Sequence, residues 1–530
     1  MTSLYPATAT GDHYAIATPH WLATEAGEAM FRAGGSAVDA ALAAAATLAV
    51  VAPHRCGLGG DAIALVGRPD GQVTAVNGSG AAPRGVDPDA LRACGPQMPA
   101  TGPHTITVPG VVRAWESLSR LAGRLPVGRV LAPAIAAASG GVPVSTSLAR
   151  VLVESAGDIA RDPGLAEVFF ADGEPLAAGA SLRQPALARS LRAIAEGGAD
   201  VFYAGELAHA LLRALQRLGS PLAAVDLHEH RTELTDPLGC GFGELEVLTA
   251  PPTSQGFVLL ELLRALGQLE RAPDPLGPDA PLVAALYQLT SRDRERHLAD
   301  PRHAPVPVEE LLSQRHAEGL LTQARARSRA WPAKPLSARA GGDTVAVVAA
   351  DREGNTVSLI QSTFDPFGAR ILDPATGVLL HNRGASFALN AGAANVLARG
   401  KRPANTLMPV LLRRDGRVVG AQGAVGGTAQ PQVHAQLLLR RVRAGDSPSQ
   451  AMTAPRWVLG GLELEGPDDI VLLERGGEAL AEPLRRTGLE PIVLNELAGG
   501  LGDVQLVERR ARGTLQAITD PRSEGAAAAG

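Results

Sequence analysis

The spacing of apolar residues divides the chain into two strand-rich ends and a helical middle. Apolar runs bounded by turn residues predict early strands at Tyr14–Ala17, Ala62–Val66 and Val73–Val76. Leu and Ala recur every three or four positions from about residue 110 to 340, which predicts helices such as Val127–Ala138, Gln184–Glu196, Glu206–Leu218 and Gly256–Leu266. Later strands are predicted at Val345–Ala350, Val357–Ile360, Val410–Leu412, Val418–Gln422 and Leu501–Val507, with helices at 430–443 and 447–453. Strands at both ends around a helical middle indicate one composite α+β domain.

Local signals refine this pattern. Helical spacing over Pro19–Ala33 ends at Gly34-Gly35, and Ser36 with Asp39 resembles a capping box for the next helix. The segment 325–343 is predicted to be an exposed loop, which is a natural place for a chain cut. The small residues of 525–530 are predicted to form a disordered tail.

Composition narrows the class of protein. The chain has 530 residues, of which 45% are apolar and 19% charged, as is ordinary for a globular protein. A net charge of -5 and the lack of a basic tract argue against nucleic acid as a partner. No secretory signal or membrane-spanning run is visible. Three cysteines without a CxxC pair fit a reducing compartment, so we expect a cytoplasmic protein.

A hairpin in the second half carries the candidate chemistry. Thr344 follows a Gly341-Gly342-Asp343 turn and begins an apolar strand, and a short glycine-containing loop leads to a second strand, Thr356–Ser362. If the two strands pair about Glu353, Thr344 lies opposite Ser362, where Cβ atoms are about 4.5–5.5 Å apart. The pattern therefore predicts two facing hydroxyls beside a glycine-rich turn.

This arrangement suits a threonine hydrolase that cleaves its own chain. Cleavage between Asp343 and Thr344 would give the nucleophile its own α-amine as a base. Such an amine has a pKa of about 7.7–8.0, so a useful fraction is neutral at pH 7. Because the same nitrogen is an amide before cleavage, we expect the intact precursor to be inactive.

Several motifs together resemble the γ-glutamyltransferase family of N-terminal nucleophile hydrolases. They run in family order from about residue 10 to 525: Ala17-Thr18-Pro19-His20, Ala23-Thr24-Glu25-Ala26-Gly27, Gly34 to Ala41, Cys56-Gly57-Leu58-Gly59-Gly60-Asp61, Val108-Pro109-Gly110, Pro252-Thr253-Ser254-Gln255-Gly256, the hairpin, Gly377 to Asn382, Arg402-Pro403, Gly423 to Thr428, and Asp520-Pro521-Arg522. Each motif is weak alone, but their number and their shared order with the family argue against a chance match.

The resemblance implies a four-layer αββα sandwich and a precursor that cuts itself into two subunits. These would be residues 1–343, the large subunit, and residues 344–530, the small catalytic subunit. The two would associate as a heterodimer, and the resemblance leaves open whether heterodimers pair further. It implies no metal and no organic cofactor. The new N-terminal threonine of the family attacks a γ-glutamyl amide, and water or an amine then takes the acyl group.

The resemblance also implies roles for individual residues. Ser362 stands where the family has a second threonine that hydrogen-bonds the nucleophile, and Gly426 with Gly427 matches the oxyanion-hole pair. Asn405 and Thr406 stand in the place of paired serines that bind the substrate carboxylate. A further match, Asn382, corresponds to an asparagine near the polar head of the substrate.

Departures from the family pattern concern the substrate. Ser79 replaces the arginine that grips the α-carboxylate, Ser386 replaces the acidic residue that holds the α-amine, and Phe364 replaces an asparagine. A new cation, Arg383, stands nearby in sequence and could bind a carboxylate through its guanidinium fork. We therefore expect an acyl group that carries a carboxylate and needs no amine, as in oxamate-type or glutaryl-type acylases of this family.

Alternative interpretations remain at this point. The chain could retain γ-glutamyl chemistry towards glutathione-like amides, or it could be an unprocessed, inactive relative that acts as a binding protein. Arg383 could be a surface arginine in a loop, and Ser362 a solvent-facing strand residue. We interpret His228-Glu229-His230 as a polar loop and Cys56 as part of a structural turn, since neither has metal-site or nucleophile spacing.

Overall fold

Two seven-stranded antiparallel sheets form the centre of the molecule. The computed structural model describes residues 7–271, 273–329, 343–460, 469–494 and 501–530. The first sheet has the strand order Ala526–Ala529, Tyr14–Thr18, Asp343–Asp351, Thr356–Phe364, Asp61–Gly67, Val73–Asn77, Glu233–Thr235. The second has the order Thr8–Gly11, Leu515–Thr519, Val504–Arg509, Arg417–Ala424, Val410–Arg414, Leu245–Thr249, Leu238–Phe242. Both sheets thus combine strands from both halves of the chain.

Helices occupy most of the segments between these strands. In the first half they are Trp21–Arg32, Ala37–Val51, Pro88–Cys94, Val111–Ala122, Val127–Gly140, Thr146–Glu154, Ala156–Ile159, Pro163–Phe169, Pro185–Gly197, Asp200–Tyr203, Glu206–Arg217 and Ala224–His228. Later ones are Gly256–Gly267, Ala280–His297, Val308–Leu311, Gln314–Arg327, Gln430–Leu438, Pro448–Thr453 and Ala481–Arg485. A small sheet of Trp457–Leu459, Ile470–Leu473 and Glu490–Val493 packs near the last of these, and the remaining strand pairs have two residues per strand.

The side chains of the Asp343–Asp351 strand show why the layers form. Successive residues of a strand point to opposite faces of its sheet. Val345 and Val347 belong to a core with the Ala-rich helix Ala37–Val51, whereas Ala346 and Val348 belong to the core between the two sheets. Helices also cover the outer face of the second sheet. Both faces of each sheet are therefore buried, and the chain forms the expected αββα arrangement.

The two strands of the candidate hairpin pair in the predicted register. Thr344 lies opposite Ser362, and Ala350 opposite Thr356. We call the Asp343–Asp351 and Thr356–Phe364 pair the nucleophile hairpin. It occupies the centre of the first sheet, flanked by Tyr14–Thr18 and by Asp61–Gly67. Because Thr344 has the same parity as Ala346, its side chain points to the space between the sheets.

Other predictions from the sequence need correction. The segment 525–530 is no disordered tail, because Ala526–Ala529 forms the edge strand of the first sheet and pairs with Tyr14–Thr18. Small side chains suit this position because the strand is buried on both faces. The predicted helical middle also contains strands, among them the hairpin Leu238–Phe242 and Leu245–Thr249.

Element ends differ from prediction in three further places. The helix Gln314–Arg327 extends into the predicted loop at 325–343, whose residues 330–342, including Gly341 and Gly342, lie outside the described residues. The strand predicted at Leu501–Val507 begins at Val504. The helix predicted at 430–443 is α-helical to Leu438 and continues as a π-helical turn. Among the described helices, none combines the length and apolarity needed to cross a membrane.

We expect Ala527→Asp to destabilise the protein strongly. Ala527 is fully buried in the core between the sheets, and an unpaired buried charge costs about 3–5 kcal/mol. The melting temperature should fall by several degrees, whereas Ala136→Asp on the exposed face of a helix should change it little. Equal melting temperatures for the two variants would contradict a buried terminal strand.

Candidate active site

The hydroxyl of Ser362 lies on the peptide bond before Thr344. Ser362 Oγ donates a hydrogen bond of 2.6 Å to the carbonyl oxygen of Asp343 and accepts one of 2.7 Å from the N–H of Phe364. The Thr344 side chain is fully buried, and its Oγ1 has no hydrogen-bond partner among the described residues. In the uncleaved chain, Ser362 therefore contacts the carbonyl group of the peptide bond that would break if the chain were cut before Thr344. Ser362 is buried rather than solvent-facing.

A half-buried arginine, Arg55, interacts with Asp343, the residue that precedes this peptide bond. Arg55 Nε lies 3.8 Å from the Asp343 carboxylate, and its Nη1 donates to Asp503 at 3.1 Å. The Arg55 carbonyl oxygen also accepts the N–H of Thr363. Burial raises the pKa of the Asp343 carboxyl, and the Arg55 guanidinium opposes the shift. Sequence reasoning missed Arg55, which precedes the Cys56–Asp61 motif.

Asp61 is the centre of a buried polar cluster beside the hairpin. It lies opposite Ser362 in the neighbouring strand. Its carboxylate is 3.5 Å from His381 Nδ1, 3.3 Å from Arg383 Nε and 3.4 Å from Asn405 Nδ2. Burial alone would raise the pKa of Asp61, but His381 and Arg383 outweigh it and lower the pKa. The ionised form of Asp61 is therefore favoured, although the sequence motifs assigned this residue no role.

Arg383 is a buried cation with one unused donor. Its side chain is fully buried, so it is no surface arginine. Besides Asp61, it donates from Nη1 to Thr406 Oγ1 at 3.2 Å, and its guanidinium lies 4.4 Å from the centre of the Phe364 ring. Nη2 has no partner among the described residues. Burial lowers the pKa of Arg383, while Asp61 and Asp365 oppose the shift. An anionic ligand would satisfy this free donor.

Phe364 lies against Arg383 in an unusual backbone conformation. Its φ is 81°, which bulky residues rarely adopt. The Ser362 hydroxyl binds its N–H, and Asn382 binds the next residue by accepting from the Asp365 N–H at 3.1 Å. The neighbouring groups therefore hold an aromatic face against Arg383, where the family pattern has an amide.

Three of the predicted substrate-binding residues are already bonded within the protein. The Asn382 amide donates to the Ala100 carbonyl oxygen at 2.7 Å and to the Asp365 carboxylate at 2.6 Å. Ser79 Oγ donates to Asn77 Oδ1 at 2.6 Å, and Ser386 Oγ donates to the Arg383 carbonyl oxygen at 2.8 Å. These side chains stabilise the walls of the site, and neither serine supplies the charge that the family has at its position.

The glycine pair lies just beyond a strand that packs on the nucleophile hairpin. Gly423 is so close to Ala346 that an added Cβ would lie 2.8 Å from the alanine Cβ. Ser358, which lies opposite Val348, donates to the Gln422 carbonyl oxygen, so the strand runs from Val348 towards Thr344 as it approaches its end at Ala424. Gly426 and Gly427 then have φ of 130° and 53°, which favour glycine. The turn can therefore direct backbone N–H groups into the site.

Gln255 connects the glycine pair to Thr406 and to a further arginine, Arg294. Its Nε2 donates to the carbonyl oxygens of Gly427 at 2.8 Å and Thr406 at 2.9 Å. Its Oε1 accepts from Arg294 Nε at 2.8 Å. Burial lowers the pKa of Arg294 to about 10, and nearby Arg383 contributes to the shift. Thr406 is thus bonded to Arg383 through its hydroxyl and connected to Arg294 through Gln255.

Sequence reasoning could have found some of these residues. Asp61 and Gln255 both lie in motifs that resemble those of the family. A polar residue that directly follows a glycine pair or a turn is a signal for a site. No local pattern marks Arg294, which lies within the helix Ala280–His297. Its distance in sequence from every motif explains why only the folded chain brings it to the site.

Two other candidates have structural explanations. His228 ends a short helix, but His230 is buried against Tyr203, with ring centres 5.4 Å apart, so the predicted polar loop is wrong for His230. Burial lowers the pKa of His230 to about 3. Cys56 is buried in a turn, and burial raises the pKa of its thiol to about 12, which makes it a poor nucleophile.

The class of protein follows from the fold. Two stacked antiparallel sheets between helix layers, with a hydroxyl residue at the second position of a central strand, define the N-terminal nucleophile hydrolase fold. A cephalosporin acylase from Bacillus halodurans is similar to this chain with a TM-score of 0.90 and 31% identity, over 100% of this chain and 98% of that one.

The family model of gamma-glutamyltranspeptidase matches residues 23–530, and the chain belongs to that family. Similar proteins include an oxamate amidohydrolase proenzyme of Klebsiella pneumoniae, 37% identical over 97% of this chain and 98% of the relative. A glutathione hydrolase-like YwrD proenzyme of Bacillus subtilis is 34% identical over 98% of each chain. An acylase ACY 1 proenzyme of Pseudomonas sp. is 31% identical over 92% of this chain and 91% of the relative. The protein is therefore an enzyme that acts on amides.

We expect Asp61→Asn to destabilise the protein by about 3–5 kcal/mol, because it leaves the buried Arg383 cation without its carboxylate. The substitution preserves shape, so the effect reports charge. Asp70→Asn, in an exposed turn, is the matched control. Thermal unfolding of both variants measures the difference, and equal melting temperatures would show that the Asp61–Arg383 pair is unimportant for stability.

Proposed function

We propose that Thr344 is the nucleophile of a self-processing amide hydrolase. Cleavage before Thr344 divides the chain into residues 1–343 and 344–530, which stay associated because both contribute strands to each sheet. The observation that supports this proposal most directly is the hydrogen bond from Ser362 Oγ to the Asp343 carbonyl oxygen. It polarises the carbonyl group next to a buried threonine hydroxyl that has no hydrogen-bond partner in the described ranges.

Processing then proceeds in two steps. Thr344 Oγ1 attacks the Asp343 carbonyl carbon, and Ser362 donates to the oxygen as negative charge develops on it. The C–N bond breaks, the nitrogen takes a proton to become an amine, and Asp343 is held as an ester on Thr344. Water hydrolyses the ester, which leaves a carboxylate on Asp343 and a free hydroxyl and amine on Thr344.

The mature enzyme uses the same groups on its substrate. The α-amine of Thr344, with a pKa of about 7.7–8.0, accepts the hydroxyl proton as the oxygen attacks the substrate amide. N–H groups at Gly426 and Gly427 stabilise the oxyanion, and one such donor typically contributes about 3 kcal/mol. The amine of the substrate leaves with the proton, and water or a second amine takes the acyl group from Thr344.

The acyl group carries a carboxylate, and Arg383 binds it. Its Nη2 has no partner in the part of the chain that the structure describes, and Arg294 adds a second positive charge nearby. Ser386 stands where the family has the acidic residue that binds the α-amine. Its hydroxyl carries no charge and donates to two backbone carbonyl oxygens. We therefore favour oxamate-type or glutaryl-type amides over γ-glutamyl amides such as glutathione. The oxamate amidohydrolase relative supports the same substrate class.

The three cysteines are free thiols, which supports a reducing compartment, and we propose that the enzyme works in the cytoplasm. Cell fractionation with an antibody against the small subunit tests this location, and recovery in an extracytoplasmic fraction would refute it.

We expect the purified protein to give two chains on a denaturing gel, the smaller beginning at Thr344. Thr344→Ala should remain one chain of 54.5 kDa, since no hydroxyl can attack. Ser362→Ala should slow cleavage by about 10²–10³, the usual loss for one oxyanion donor. N-terminal sequencing and a time course of the gel bands measure both effects.

Ser358→Ala is the matched control for Ser362→Ala, because Ser358 lies in the same strand, is buried and donates to the Gln422 carbonyl oxygen. It should process at the normal rate. A single uncut chain in fully active wild-type protein would refute the mechanism and favour the alternative of an unprocessed protein. Cleavage of Thr344→Ala at the same bond would refute the assigned nucleophile.

We expect glutaryl anilide to be hydrolysed faster than γ-glutamyl anilide. Arg383→Gln should lower kcat/KM for the glutaryl substrate by about 10–150-fold, which corresponds to a lost charge-assisted hydrogen bond of about 1.5–3 kcal/mol. Butyryl anilide, which lacks the carboxylate, should be affected much less by the same variant. Release of aniline measures all three substrates.

Arg120→Gln, an exposed helix residue, controls for the removal of any arginine. Arg294→Gln should reduce glutaryl hydrolysis in the same direction as Arg383→Gln, but less, because it lies beyond Gln255. A strong preference for the γ-glutamyl anilide would refute the proposed substrate class. Equal losses on butyryl and glutaryl substrates would show that Arg383 supports the fold and does not bind the carboxylate.

A further inference from the structure

Three side chains from three helices meet in the outer layer behind the second sheet. Glu261 lies on the helix Gly256–Gly267, Asp293 on Ala280–His297 and His316 on Gln314–Arg327. His316 Nε2 is 3.1 Å from an Asp293 oxygen and 3.6 Å from a Glu261 oxygen. One ligand atom from each residue lies within 4.8 Å of the other two. We call these residues the three-helix cluster.

Glu261 lacks the partners that a buried carboxylate needs. It is fully buried among the leucines of its helix, and neither of its oxygens has a hydrogen-bond partner among the described residues. No lysine or arginine among the described residues forms an ion pair with Glu261 or Asp293. An isolated buried carboxylate is costly, and buried charges are normally paired or bound to a metal.

The distances from His316 to the two carboxylates match the coordination of a small cation. Zinc lies about 2.0–2.2 Å from nitrogen and oxygen ligands, so neighbouring ligand atoms in a tetrahedral site are about 3.4 Å apart. The distances of 3.1 and 3.6 Å bracket that value. One imidazole with two carboxylates suits Zn²⁺ or Mn²⁺ better than Ca²⁺, which takes only oxygen ligands. The partial exposure of Asp293 and His316 leaves water access to a fourth position.

We propose that Glu261, Asp293 and His316 bind one divalent transition-metal ion, Zn²⁺ or Mn²⁺, which links the three helices. The site is separate from the candidate active site, so this ion stabilises the fold and takes no part in amide hydrolysis. It departs from the expectation that the protein has no metal. Asp293 directly precedes Arg294, so the ion also fixes the helix from which Arg294 reaches Gln255.

The experiment measures metal in the intact, purified protein. After dialysis against a chelator, the protein is incubated with ZnSO₄ or MnCl₂, freed of unbound metal by gel filtration and analysed by mass spectrometry. We expect about one equivalent of one of these metals and a melting temperature a few degrees higher than in the chelated form. Glu261→Gln and His316→Gln should each retain at least tenfold less metal.

His209→Gln is the matched control, since His209 is an exposed histidine on another helix, and it should retain the full equivalent. Because Glu261→Gln could disturb the core, circular dichroism must show that a variant is folded, and the half-exposed His316 provides the second test. Retention of less than one tenth of an equivalent by the wild type would overturn the proposal and leave Glu261 as a protonated acid. Equal retention by wild type and His316→Gln would overturn it as well.

Discussion

The antiparallel pairing of the nucleophile hairpin is the constraint on which the site depends. Backbone hydrogen bonds fix Thr344 opposite Ser362 in the middle of a seven-stranded sheet. The irregularity between Asp343 and Thr344 then brings the Asp343 carbonyl oxygen to the Ser362 hydroxyl. A shift of one residue would turn Thr344 towards the helix layer, because side chains alternate between the two faces. The flanking strands on both sides make such a shift costly.

Buried charge is the second feature that shapes the site. Asp61 interacts with both His381 and Arg383, and burial strengthens these interactions because water cannot screen them. One carboxylate is thus shared between two groups, and Arg383 keeps a donor that no described residue satisfies. An anion would complete the hydrogen bonding of such a site. The loss of the family's arginine at Ser79 is therefore compatible with carboxylate binding from a different wall.

The sequence predicted the hairpin, the capping box at Ser36, most helices and the family, because these depend on short-range periodicity and on motifs. It failed where small residues gave no periodicity. The alanines of Ala526–Ala529 form a strand only because Tyr14–Thr18 offers an unpaired edge. A different limitation hid Arg55 and Arg294, because their contacts with Asp503 and Gln255 join residues that no local pattern connects.

The amino-acid sequence by itself determined the register of the nucleophile hairpin and the candidate residues Thr344 and Ser362, because a strand period of two and a short loop leave little freedom. Only the tertiary structure decided which polar groups are free. Asn382, Ser79 and Ser386 are bonded within the protein, whereas in the described part of the chain Arg383 retains an open donor and Glu261 has no hydrogen-bond partner for either oxygen. Whether a side chain is satisfied depends on residues far away in sequence, which meet it only when the layers close.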